Sequence, residues 1–357
     1  MVLTRIKWAV ACTQMGLLAV AGPTFAATAK VYVADEGADT VSVIDATSFK
    51  KVGSIPVGRG PHNVQVSPDG KWVWVTNNGE PGPLTATITE TMPAGQVPKS
   101  EHGAMAGAGA QAGAVWLIDT ATDAVTAKVP VGKHPAHVVV TSDGRTAYIT
   151  NGGDNSVSVV DTAAQSVLGV IAVGASPHGL RIRPDGKQAW VADLKGGTVS
   201  VIDTETRKRV AQIAAGKGPA QVGFTPDGRY AFVSLSEENR VAVIDAASRK
   251  VLRRIAVGTV PIQLYATPDS KLVLVANQGT PEKPGTTVSV IDVARMKVAA
   301  TIATGAGAHG VVIDRDGTRA FVTNTYANTV SVIDIAERKV IATVPVGKGP
   351  NGISMAP

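Results

Sequence analysis

Six histidines are spread over the 357 residues of the chain, and four of them fall at nearly the same point of a recurring segment. The seven segments read VGRGPHN, VGKHPAH, VGASPHG, AGKGPAQ, VGTVPIQ, TGAGAHG and VGKGPNG. The two residues after the Pro, or after Ala308 in the sixth copy, include His62, His137, His178, His309, Gln221, Gln263 and Asn351. Imidazoles and amides delivered to one height can line a funnel for a small molecule, a peptide, a porphyrin or an anion. They can equally cap strand ends, hydrogen-bonding to backbone and water as buried polar groups must. His137 and His178, with His134 just before Pro135, make a candidate metal set, and His62 comes from the copy adjacent to that of His137. Transition metals take ligands at about 2.0–2.3 Å, so histidines from separate repeats must lean across a channel to share an ion.

Other chemistries are poorly served. Cys12 is the only cysteine, so no disulfide framework is available. Without CxxCH the chain cannot attach haem covalently in that way. GxSxG, HExxH and P-loop motifs are also missing, and no paired-carboxylate motif is apparent. The first expectation is a protein with no cofactor. A metal or a tetrapyrrole is the alternative.

The elements that position these residues are short repeats. TVSVID ending at Asp45 returns as AVWLID at Asp119, SVSVVD at Asp161, TVSVID at Asp203, RVAVID at Asp245, and TVSVID at Asp292 and Asp334. The basic interval is 42 residues, with longer spacings where copies carry insertions. Within residues 137–173, four runs rich in Val, Ile and Thr are separated by turn residues, which predicts a four-stranded antiparallel meander. Asp-Gly pairs at Asp69, Asp143, Asp185, Asp227 and Asp316 suit its first hairpin. A period near 42 made only of strands points to propeller blades. The fold class is therefore all-β, a seven-bladed β-propeller with four strands per blade. Second-strand sequence begins at Lys30 and first-strand sequence closes the chain at Asn351 to Pro357, so the two ends should share one blade. The aromatic stripe of Tyr32, Trp72, Trp74, Tyr148, Trp190, Phe232 and Phe321 is expected in the core between blades.

Arg5 and Lys7 precede an apolar stretch, and small residues follow, so residues 1–26 read as a signal peptide. That leaves a propeller over residues 27–357, exported to the periplasm or beyond, with no membrane span in the mature chain and a monomeric state expected. The net charge of +6 falls to +4 without Arg5 and Lys7, which is mainly a solubility term. Basic residues gather at turns expected on the face opposite the histidines, including Lys50, Lys51, Arg207, Lys208, Arg209, Arg249, Lys250, Arg295, Lys297, Arg338 and Lys339. Nucleic acid or another polyanion is a weak candidate partner there, since aromatic groups for base stacking are scarce. Residues 79–113, rich in Gly, Ala, Pro and Thr, are expected to form a flexible inserted loop over the funnel. His102, Met92 and Met105 lie in it and could touch copper.

The second strands read YVAD (Tyr32 to Asp35), WVTN (Trp74 to Asn77), YITN (Tyr148 to Asn151), WVAD (Trp190 to Asp193) and FVTN (Phe321 to Asn324). These resemble the YVTN-repeat family of seven-bladed propellers, which is akin to YncE-like proteins and to the propellers that carry haem d1. The resemblance covers nearly the whole mature chain. It implies the fold, and it makes His62, His137, His178 and His309 candidate haem d1 ligands by residue type. The function expected is a non-catalytic binding or scaffold protein, its partner a protein or small molecule at the histidine-bearing face. The alternatives are a redox-associated protein holding a metal or a d1-like tetrapyrrole, and a lactonase-type hydrolase.

Overall fold

The computed structural model describes residues 29–78 and 112–356. The expected leader, residues 1–26, and residues 79–111 of the expected inserted loop, with His102, Met92 and Met105, lie outside the described residues. Among the described residues the strands form seven four-stranded antiparallel sheets, and no helix is present.

Each sheet is one sequence repeat displaced by a strand. In the third blade, Pro135–Val140, Thr146–Asn151, Ser156–Asp161 and Ser166–Ala172 pair in chain order as a meander. The Asp-Gly hairpins form as their chemistry requires. Asp143 accepts from the Thr141 hydroxyl at 2.6 Å and from the Arg145 amide at 3.0 Å, and Gly144 takes φ +72°. Ser270, which replaces this glycine once, is held at φ +61°.

The inner strands Pro61–Val66, Pro135–Val140, Pro177–Ile182, Pro219–Phe224, Pro261–Ala266, Ala308–Ile313 and Pro350–Met355 each pack against the next, and the last packs against the first. The ring is closed by pairing Pro350–Met355 with Lys30–Asp35, with Tyr32 opposite Ser354 and Val33 opposite Ile353. This first blade therefore draws on both ends of the described chain, and closure removes the open sheet edges that a linear stack would leave.

The core lies between blades. Tyr32, Trp74, Tyr148, Trp190, Phe232 and Phe321 are fully buried, whereas Trp72 is half-exposed. Trp190 of the fourth blade packs among Val222, Val233 and Leu235 of the fifth. Burial of such a ring is worth roughly 2–3 kcal/mol.

The last two letters of the YVTN repeat have separate duties. The Asn or Asp is buried and, except at Asn77, binds two hydroxyls of the third strand: Asn151 donates to Ser156 and Ser158, Asn324 to Thr329 and Ser331, and Asp193 accepts from Thr198 and Ser200. The glycine of each VG pair lies against this group, and a Cβ on Gly174 would collide with the Asp193 carboxylate. The Thr, or Ser234 in its place, joins neighbouring blades. Thr76 accepts from the Asn63 amide at 2.9 Å and donates to the Ala136 carbonyl at 2.8 Å. Thr323 and Ser234 repeat the arrangement two inner strands at a time.

Candidate histidine-bearing channel mouth

Seven connections enter the inner strands on one face. In each, the residue before the first inner-strand residue adopts positive φ: Gly60, His134, Ser176, Gly218, Val260, Gly307 and Gly349. The chain therefore reverses at one height in every blade, which brings the following polar residues to a common level around the axis.

Three imidazoles from three successive blades meet there. The ring centroids of His62 and His137 are 5.8 Å apart, those of His62 and His178 5.2 Å, and those of His137 and His178 4.9 Å. One ring nitrogen from each lies within 4.8 Å of the others. His309 approaches His62 at 6.4 Å between centroids but falls outside that group. His134 stands apart. Its left-handed backbone and its carbonyl, bound to the Gly152 amide at 2.9 Å, leave its ring exposed over Gly153. The structure thus places His62, and not His134, beside His137 and His178.

Outer contacts orient two of the rings. His178 Nδ1 lies 2.9 Å from the carbonyl of Ala220 and must donate to it, which leaves Nε2 with its lone pair. His62 Nε2 lies 3.2 Å from that atom. On its other side, His62 Nδ1 faces Glu36 Oε1 at 3.4 Å and Asn351 Nδ2 at 3.1 Å, and Asn351 also donates to Glu36 Oε2 at 2.6 Å. Glu36 was not singled out by the sequence. The signal lay in its position one residue beyond the buried Asp35, where the second strand turns toward the histidine face.

Electrostatics favour neutral rings at His137, His178 and His309. Burial, reinforced by the charges of neighbouring histidines, pushes His178 down to about 4 and His309 to about 3, and holds His137 well below the ordinary imidazole value. Burial pushes the Glu36 carboxyl up, yet the hydrogen bond and charge of His62, with the Asn351 amide, outweigh it and bring the group to about 2.

Around the three rings the remaining funnel residues are buried. Gln221, Gln263, His309 and Asn351 lie near the same end of the inner strands as the three rings, and Gly179 stands where a side chain would collide with the Gln221 amide. Several of their polar atoms have no partner in the protein: both ring nitrogens of His137, Nδ1 of His309, both amide atoms of Gln221, Nε2 of Gln263 and Oδ1 of Asn351. A cavity of about 330 Å³ opens beside His62 and His178, with His134, Ser176 and Lys195 on its walls. At the other end of the inner strands, a cavity of about 690 Å³ is lined by Gln65, Arg181, Tyr265, Asp314 and Asp316, with no histidine. The basic turns lie on that opposite side and are largely exposed; two of them pair locally, Arg295 with Asp292 and Lys339 with Glu337.

Comparison with known proteins agrees with this architecture. The sequence profile of the YNCE-like beta-propeller matches residues 99–267 and 266–356. Antigen Lp49 of Leptospira interrogans is 28% identical over 128 residues, which span 36% of this chain and 24% of the antigen. The match thus covers about a quarter of that relative's length. Among solved structures, Kuenenia stuttgartiensis hydrazine synthase is similar with a TM-score of 0.65 and 25% identity, over 87% of this chain and 92% of that one. Dihydro-heme d1 dehydrogenase NirN in complex with DHE gives a TM-score of 0.63 at 17% identity, over 94% and 77% of the two chains, a likeness of fold. By its sequence and its seven closed blades, the chain belongs to the YNCE-like beta-propeller family.

Proposed function

We propose that this protein is an exported, non-catalytic binding or scaffold module that takes its ligand at the histidine-bearing mouth of the channel. The observation that carries the reading is the ring of buried, unpartnered donors and acceptors on His137, Gln221, Gln263, His309 and Asn351. Buried polar groups ordinarily find partners, and five inner strands here carry unpartnered ones near the same end. Export rests on the basic and apolar character of residues 1–26.

The site's own chemistry supports binding over turnover. Glu36, the carboxylate that touches the cluster, is held ionised by His62 and Asn351, far from the pKa of a useful general acid or base near neutral pH. Among the described residues no hydroxyl bonds to the imidazole ring of His62, His137 or His178, and Thr150 is committed to backbone groups. The three imidazoles pack ring against ring at 4.9–5.8 Å, which favours a small ligand over a d1-like macrocycle.

The test is native mass spectrometry of the protein isolated from its own periplasm, set beside a Gln221→Leu, Gln263→Leu, Asn351→Leu variant. A small mass carried by the wild type and lost from the variant is expected. Turnover of a lactone panel by the wild type, or equal recovery of the mass on both proteins, would overturn the reading.

A further inference from the structure

We infer that His62, His137 and His178 form a binding site for one divalent transition-metal ion, an inference that rests on the channel mouth being the ligand-binding face. Their donor atoms lie within 4.8 Å of one another, and His62 Nε2 and His178 Nε2 are already 3.2 Å apart. A tetrahedral ion with bonds of about 2.0–2.1 Å to imidazole holds its ligand nitrogens about 3.3–3.4 Å apart. Two of the three ligands therefore stand at coordination spacing. The third, His137, has both nitrogens buried without a partner in the protein, and one of them lies within 4.8 Å of the other two donor atoms.

The outer contacts have the form that metal-bound histidines use. The Ala220 carbonyl fixes the His178 tautomer that turns the Nε2 lone pair inward, and the Glu36 carboxylate stands behind His62 as the acceptor for Nδ1–H. When the site is free of metal, His62 Nε2 can instead donate to His178 Nε2 while its Nδ1 accepts from Asn351. Ion binding then requires only that the His62 proton move from Nε2 to Nδ1, toward Glu36. An all-imidazole set suits zinc, copper, nickel or iron and is unsuited to magnesium or calcium. Glu36 offsets one of the ion's two charges. The cavity beside His62 and His178 leaves a coordination position open to a ligand, and Lys195 on its wall favours one with an anionic group.

His134, exposed and turned away from the three rings, lies outside the donor group and should be dispensable for metal binding.

The test uses the full protein prepared without a histidine tag, stripped with chelator and titrated with Co²⁺ under visible absorption, followed by Zn²⁺ competition. One equivalent is expected to bind with the absorption of a low-coordinate cobalt centre. His62→Ala and His178→Ala should each weaken binding by more than about 100-fold, beyond the roughly 10- to 100-fold loss of an outer-contact change, which is the loss expected for Glu36→Gln. His134→Ala should bind as the wild type does. Both ligand positions are half-buried, and matching thermal melts of the metal-free variants separate loss of binding from loss of fold. Undiminished affinity in both ligand variants, or binding abolished by His134→Ala, would overturn the metal site. If Co²⁺ does not bind but the small mass lost on the Gln221, Gln263 and Asn351 substitutions is still found, the metal inference falls and the broader binding reading stands.

Discussion

The Thr150 hydroxyl donates to the carbonyl of His178 at 2.7 Å while accepting the amide of His137 at 2.9 Å. A residue of the fold's own repeat thus holds the backbones of two site histidines in fixed relation across a blade boundary. Thr150→Val removes both bonds and leaves a buried amide and carbonyl unpaired, at a cost of about 1–3 kcal/mol. Chemical denaturation should show that loss, and ligand or metal affinity should fall with it. Unchanged stability would mean that the inner strands are held by packing alone.

His137 should be a liability for folding. Both its nitrogens are buried without a protein partner, so His137→Leu is expected to stabilise the ligand-free protein by about 1–3 kcal/mol while removing binding. Paired urea melts and binding titrations check this. A destabilised variant would show that the imidazole serves the fold.

Asp193 gives a pH signature. Burial raises its pKa, and the bonds from Thr198, Ser200 and Gly174 only partly offset that. The folded carboxyl thus holds a proton more tightly than the unfolded one, so ionisation at neutral pH costs stability, and the cost fades as pH falls toward the unfolded value. Asn occupies the equivalent place in four other blades, at Asn77, Asn151, Asn277 and Asn324. Asp193→Asn should therefore melt higher than wild type near pH 7, with the gap closing toward about pH 4. A gap that widens on acidification would contradict the assignment.

Removal of Pro350–Met355 should open the ring. That strand covers the edge of Lys30–Asp35 and carries Asn351, which holds Glu36 and His62. A chain cut after Gly349 is expected to lose cooperative melting, whereas a sharp transition at the wild-type temperature would show that closure is dispensable.

Much of this was legible in the sequence because repetition amplifies weak signals. One TVSVID is an ambiguous apolar run; four copies and three close variants, most of them 42 residues apart and with Asp-Gly turns between, admit few folds. The convergence of the VGxxP-like segments followed from the same repetition. The membership of the histidine group was less legible. His134 adjoins Pro135 and looks equivalent to His137 in sequence, but its left-handed backbone turns the ring out to solvent, whereas His62, 75 residues before His137, arrives from the neighbouring blade. Glu36 was hidden for a related reason. Its role depends on which residue from the opposite end of the chain, here Asn351, lies beside it once the ring closes.

The most direct measurement is an anomalous difference map from crystals of the untagged protein grown with Co²⁺. One peak is expected, about 2.0–2.3 Å from a ring nitrogen of each of His62, His137 and His178. A map with density only at His134 or at surface residues, and none among those three rings, would contradict it.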